Sequence, residues 1–417
     1  MRKNWRETMK SRVNFFVSGV LAILITVTGA GIVSAMGMQG STFIGLGCAS
    51  SQMGGTGTAM PLDSIAATMR NPAGLSFFDR PAADLEFGHA RDTSTGYYVY
   101  PDELGGPWHG SCDERNYPMM AVGVAIPLKN SERFKDIPLT LGVGLGVTAG
   151  AGAKWNKVCP LNFCALYLMN SGVVCLSYKV NNFSFGIGPR LNFGTLDLGY
   201  GHAVDEGWGI QAGIIYSKQD WSFGASYISG ISIDYRRIID LDGDGSLDDL
   251  EFEEPQQTYF GVSYNGIDKW ILNLEGRWIN YGGAALYSDC DWKDLWAVSL
   301  GAQYEILPNL KLRAGYLYNN SQIKVNDGFD INGTRDFQGH QISEAVFEAW
   351  HHASLPLYFN HHLGCGIAYD FIEGVTFSLG LMWDLKEGIS MKDSTGMYSI
   401  DHETGLFWVD SGISVRF

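Results

Sequence analysis

The chain has 417 residues, with 29 Lys and Arg against 44 Asp and Glu and a formal net charge of −15. That balance argues against a nucleic-acid partner, which is held through a basic surface. Length alone would suit two soluble domains, but no linker or shift in composition divides the sequence, so one domain is expected.

The N-terminus carries Arg2, Lys3, Arg6, Lys10 and Arg12, then an apolar run from Phe15 to Val33, then Val33-Ser34-Ala35. This is the pattern of a secretory signal peptide over 1–35, with the mature chain starting near Met36. An uncleaved anchor is the rival, and Cys48 lies too far beyond the apolar run for a lipoprotein cysteine. Cleavage leaves the mature chain more acidic still. No second stretch is long and apolar enough for a membrane helix, so an exported chain of this kind crosses a bilayer as a closed barrel, in which every backbone group is paired.

Within residues 36–82, the stretch between Ile44 and Pro81 has neither helical nor strand period. Gly45, Gly47, Gly54, Gly55 and Gly57 let this backbone pack closely, and Pro72 biases Asn71 away from helix. From Ala83 onward the chain alternates. Strands are predicted near 83–98, 117–129, 138–150, 167–180, 181–195, 206–217, 219–238, 255–266, 268–282, 293–306, 309–320, 358–370, 374–386 and the terminal stretch ending at Phe417. In that last strand Phe407, Val409, Ile413 and Val415 share one face, with Trp408, Asp410, Gly412 and Ser414 on the other.

Short turns such as Val180-Asn181-Asn182, Lys218-Gln219-Asp220 and Leu307-Pro308-Asn309 alternate with long polar segments near 99–116, 151–166, 239–254, 321–357 and 387–404. A soluble two-sheet sandwich also alternates but gives no reason for this asymmetry. The expectation is an all-β chain, a transmembrane antiparallel barrel of about fourteen strands over 83–417 in the bacterial outer membrane. Both termini would be periplasmic, with outer-membrane lipid around the wall and the barrel-assembly machinery reading the final strand at Phe417. A barrel this wide leaks unless something fills it, and residues 36–82 are the available plug.

In order before the first strand stand Gly45-Leu46-Gly47, Gly54-Gly55, Asp63, Arg70-Asn71-Pro72-Ala73 and Phe78-Asp79-Arg80-Pro81. Later come Tyr259-Phe260-Gly261-Val262-Ser263-Tyr264 before Trp270, Leu312-Arg313-Ala314-Gly315-Tyr316, and His361-His362-Leu363-Gly364 leading to Tyr369. These resemble the FadL/TodX family of outer-membrane transporters of long-chain fatty acids and aromatic hydrocarbons, over nearly the whole mature chain. The resemblance implies an N-terminal hatch inside the lumen, with Asn71 as a hydrogen-bonding pin and Pro72 and Ala73 shaping its turn. It implies passive uptake of hydrophobic small molecules such as long-chain fatty acids, with sideways exit through the wall and no cofactor. Aromatic hydrocarbon uptake is an alternative, as is a surface-binding or structural barrel. No serine-histidine arrangement for a lipid-modifying enzyme can be assembled, so the chain is expected not to be an enzyme.

Alternation turns Arg190, Glu275, Arg277 and Arg313 toward the lumen, where a guanidinium meets either a ligand carboxylate or a neighbouring acid. Asp240-Leu241-Asp242-Gly243-Asp244-Gly245-Ser246-Leu247-Asp248-Asp249-Leu250-Glu251 satisfies an EF-hand loop. Asp240, Asp242 and Asp244 offer carboxylates, Ser246 its carbonyl, Asp248 a water-mediated contact and Glu251 two oxygens, so structural Ca2+ is expected in an extracellular loop. The seven cysteines show no zinc-type spacing and read as loop staples, such as Cys159 to Cys164, or free thiols. Histidines 340, 351, 352, 361 and 362 crowd one loop and the next strand start. Adjacent histidines on a strand would face opposite ways, which argues against a metal there.

Overall fold

A strand that alternates apolar and polar residues can give one face to lipid and keep the other inside, and this chain does so fourteen times. The computed structural model describes residues 38–417 apart from 103–105, 113–115, 131–136, 156, 160–163, 200 and 242. The predicted signal peptide lies outside the described residues.

The first wall strand runs Ala82–Asp92 and continues as Thr95–Val99, and the second comprises Trp108–Ser111 and Asn116–Pro127. Then follow Leu139–Lys154, Cys164–Val180, Phe183–Asp197, His202–Lys218, Trp221–Ile228, Gln257–Tyr264 and Trp270–Ile279. Leu295–Leu307, Leu310–Asn319, His361–Ile372, Val375–Lys392 and Ser399–Arg416 complete the set. Each pairs antiparallel with its neighbour, and the last closes on the first from Leu406↔Asp92 to Arg416↔Ala82. Closure pairs the first strand with the last, so neither terminal strand is left as a free edge in the hydrocarbon interior.

Phe183, Phe185, Ile187, Trp296, Val298 and Leu300 are exposed on the outer face, and Ser184, Arg190, Asn192, Asn273, Glu275 and Arg277 are buried inside. Beside the short turns, Phe183 meets Tyr216, Trp221 meets Tyr264 and Trp270 meets Tyr304, with ring centroids 4.8, 4.5 and 4.7 Å apart. This half-ring of aromatics is the girdle of a barrel at a membrane interface. Asn181 and Gln219 take positive φ there (52° and 55°), the conformation that closes such tight turns. Both ends of the barrel sequence, Ala82 and Arg416, lie on this short-turn rim.

Two predicted elements differ. The stretch 219–238 is not one strand: it breaks at Ser229-Gly230, and Ile231–Ile239 pairs instead with Asp248–Glu254 in a separate two-stranded hairpin on the long-loop rim. The segment 321–357 is not merely a polar loop. It holds a small hairpin, Thr334–Phe337 with His340–Ser343, and a helix, Glu344–Ser354, here called α1. Ser343 caps α1 by accepting from Val346 N at 3.4 Å. Ala345, Ala349 and Ala353, one turn apart, pack into a buried cluster with Tyr98, Tyr100, Trp108, Trp155 and Phe329.

Candidate functional site: the bore and a break in its wall

Residues 38–81 make little regular structure of their own: a minimal hairpin of Met38–Gln39 with Thr42–Phe43, two short helices, Cys48–Gln52 and Ser64–Met69, and a 3-10 turn, Pro72–Phe77. Their burial comes from the wall. Inward-facing glycines line up against them. A Cβ on Gly123 would overlap Ser64 and Ile65; on Gly186, Pro72 and Ala73; on Gly213, Asn71. The same holds for Gly224 against Thr58 and Ala59, and for Gly301 and Gly315 against Met53. Glycine at these positions lets backbone approach backbone around the bore. Beside Cys48, Asp63, Glu86 and Arg313 a cavity of ≈ 20 Å³ is left, room for about one water.

Asn71 sits where the chain turns from helix to 3-10 turn. Its Oδ1 accepts from Ala73 N at 3.1 Å and its Nδ2 donates to Thr58 O at 2.6 Å, so it caps Pro72–Phe77 and ties it to the preceding loop. Pro72, at the first helical position, needs no acceptor for a missing N–H. Asn71→Ala removes the cap, a loss of about 1 kcal/mol, or about fivefold faster local opening. Amide exchange across Pro72–Phe77 should show that acceleration while the barrel's unfolding temperature stays unchanged.

The four lumen candidates all face inward as alternation requires, and all are engaged with protein atoms. Arg277 donates to Ile44 O at 2.6 Å, Gly55 O at 2.5 Å and Glu275 Oε1 at 3.2 Å. Glu275 Oε2 accepts from Gly57 N at 3.0 Å and Thr58 N at 2.9 Å. Arg190 donates to Met69 O at 3.2 Å and Ser171 Oγ at 2.9 Å, and Arg313 to Gln303 Oε1 at 2.8 Å and Gln52 Oε1 at 3.2 Å. Arg70 joins them: it donates to Ile44 O at 2.6 Å and to Gly55 O, and its guanidinium lies 4.9 Å from the Tyr259 ring centre. Sequence reasoning used Arg70 only as part of a motif. These inward charges, buried except for the half-buried Arg313, fasten residues 44–70 to the wall, each with protein partners as a charge removed from water requires.

The wall is not continuous. The ladder between the second and third strands runs from Pro127↔Thr140 to Ala121↔Gly146 and stops, although the second strand continues to Asn116. At that level the third strand has a bulge against the fourth: Val147 pairs with Asn170 and Ala149 with Met169, leaving Thr148 extra. Beyond it both faces of the third strand are buried, Val147, Thr148, Ala149 and Ala151 alike. A bulge bends its strand, and here the bend carries the third strand off the wall toward the bore. The leading segment meets it there: Thr42 pairs with Ala149, and Gly150 N donates to Ser41 O at 2.9 Å.

Above this level α1 and the aromatic cluster cover the mouth. Tyr98 stacks on Trp108 at 4.1 Å, and Trp155 Nε1 donates to Ala353 O of α1 at 2.8 Å. Burial, with His352 and Arg335 nearby, holds His351 well below its ordinary range, so it is neutral.

The acidic loop joins the two strands of the outer hairpin. Asp240 accepts from Gly243 N at 2.7 Å and Gly245 N at 3.0 Å, Asp244 from Ser246 N at 2.7 Å, and Asp248 from Leu241 N at 2.8 Å. The all-oxygen donor set suits calcium and the carboxylates curl into the loop. Asp242 lies outside the described residues. Glu251 stands in the hairpin strand opposite Asp234. Cys48, Cys175, Cys290 and Cys365 form no disulfide.

No protein-family model matches the chain, and no curated protein matches its sequence. Among solved structures it is similar to the Pseudomonas putida toluene transporter TodX, at 17% identity and TM-score 0.63, with 89% of this chain and 99% of that one covered. A Pseudomonas aeruginosa FadL homologue gives 14% identity and TM-score 0.65 over 91% and 100%. The Ralstonia pickettii toluene transporter TbuX gives 14% identity and TM-score 0.58 over 89% and 98%. The chain therefore has the fold of these proteins: a fourteen-stranded barrel of the outer-membrane type.

Proposed function

We propose that this protein is a passive outer-membrane channel of the FadL/TodX type for hydrophobic small molecules, with residues 38–81 as its hatch and the break beside Thr148 as its sideways exit. The observation that carries this reading is the coincidence of a filled bore with an interrupted wall. A ligand of low polarity gains about 0.8 kcal/mol per methylene by passing from the mouth into lipid without crossing water. Such a path needs no energy source and no reacting group. The long-loop rim then faces outward and both termini face the periplasm. TodX and TbuX, toluene transporters with this fold, support the reading.

Among the described residues, the buried guanidiniums of Arg70, Arg190 and Arg277 and the half-buried one of Arg313 already donate to protein oxygens. This favours a neutral hydrocarbon over a fatty acid, whose carboxylate needs a donor of its own. The test is competitive uptake into cells carrying the protein. Labelled toluene should enter faster than in cells lacking it, and unlabelled oleate should compete poorly. Toluene entry at the background rate would overturn the channel reading, and strong competition by oleate would overturn the neutral preference.

The loop 240–251 is proposed to bind calcium and stiffen the outer hairpin. A site on an external loop is expected at a Kd of about 0.1–1 mM. Limited proteolysis within 239–254 should slow as calcium rises through that range. Cleavage unaffected by several millimolar calcium would remove this claim.

A further inference from the structure

The helix over the mouth carries a second polar constellation that neither transport nor the calcium loop uses. Glu348, His351 and His352 stand at positions i, i+3 and i+4 of α1, on one face, and each is at least nine-tenths buried. One ligand-type atom from each lies within 4.8 Å of the other two. His352 Nε2 has no hydrogen-bond partner despite complete burial, and it faces Glu348 Oε2 at 3.3 Å. Ligands about 2.0–2.1 Å from a tetrahedral zinc stand about 3.3 Å apart, which is this separation.

The surrounding groups orient the trio. Glu348 Oε1 accepts from Asn326 Nδ2 at 2.9 Å, and His352 Nδ1 is bonded to the Tyr358 hydroxyl at 2.6 Å. Outer partners of this kind fix a ligand's ring and tautomer at a metal. A buried carboxylate beside two imidazoles is a donor set for zinc-like cations rather than for calcium. Another inward trio, Cys48, Glu86 and Asp410, lacks this readiness, because both Asp410 oxygens already accept from Ser51 and Gln52.

We infer that Glu348, His351 and His352 form a binding site for a divalent transition metal of the zinc class, which locks α1 in place over the outer mouth. His351 Nε2 now accepts from Trp292 Nε1 at 2.8 Å. Metal on that nitrogen displaces the indole, and metal on the other makes Nε2 a donor facing a donor. Either way the Trp292 hydrogen bond breaks on binding. Removing the indole N–H therefore relieves a competitor.

The probe is Co2+, titrated into metal-stripped, detergent-solubilised full-length protein in saturating calcium, and read by visible absorption and by competition with Zn2+. One equivalent should bind with the intense spectrum of a four-coordinate ion. Glu348→Gln and His352→Gln should each weaken it by at least about tenfold. Trp292→Phe, which leaves the helix untouched, should bind more tightly than the wild type. Three results overturn the site: no cobalt bound at millimolar metal, equal affinity in Glu348→Gln and His352→Gln, or weaker binding in Trp292→Phe.

Discussion

Deleting Thr148 should cut uptake of a labelled hydrophobic ligand by at least about tenfold while leaving a folded, heat-resistant barrel. The third strand leaves the wall where Thr148 is the surplus residue between Val147 and Ala149. Without it the pairs with Asn170 and Met169 fall into regular antiparallel order, and the strand can straighten against Met119 and Met120 of the second strand. The hydroxyl contact of Thr148 with Ser171 Oγ, 2.7 Å, is lost. That costs about 1 kcal/mol, small against the whole sheet. Initial uptake rates, normalised to the amount of folded protein in the outer membrane, measure the effect. Undiminished uptake would place the exit elsewhere.

Gly186→Val should open the bore to ions. A Cβ at this position overlaps the backbone of Pro72 and Ala73, so no choice of rotamer relieves it. The wall strand around Gly186 is held by continuous ladders to both neighbours, whereas the turn it presses on is short and held by a few side-chain hydrogen bonds, from Asn71, Ser76 and Ser177. Overpacking of one to three kcal/mol or more therefore falls on the hatch, and β-branched valine suits the strand. Planar-bilayer recordings should show stable conductance steps in Gly186→Val and none in the wild type. A mutant as tight as the wild type would mean that these residues do not seal the bore.

The wall was readable because its signal is repetitive. Phe183, Phe185 and Ile187 against Ser184, Gly186 and Arg190 announce a two-faced strand, and parity alone placed Glu275, Arg277 and Arg313 on the inner face, where Arg313 meets Gln52. What those charges hold was not readable, since Ile44, Gly55 and Gln52 meet them across hundreds of residues of sequence. The break in the wall was hidden for another reason. Alternation continues through Val147, Ala149, Ala151 and Ala153 after the strand has left the wall. The available signal was size: from Thr148 to Ala153 neither face carries a bulky side chain for lipid.

Helix α1 was missed because it lies in a long polar segment between strands. Its marks were the Ser343 cap and the small residues Ala345, Ala349 and Ala353 one turn apart. Read as strand, His351 and His352 point apart; read as helix, both join Glu348. The same five residues, from Glu348 to His352, carry opposite chemistry under the two periods.

The most direct test of the account is photolabelling during transport. A diazirine-bearing alkylbenzene, illuminated while it passes through wild-type protein in lipid vesicles, should leave adducts at the break in the wall, on Met120, Val147 and Ala149. Adducts concentrated instead at the short-turn end of the bore, on Phe78, Pro81 and Leu128, would mean that the ligand runs straight through and that the wall break is not its route.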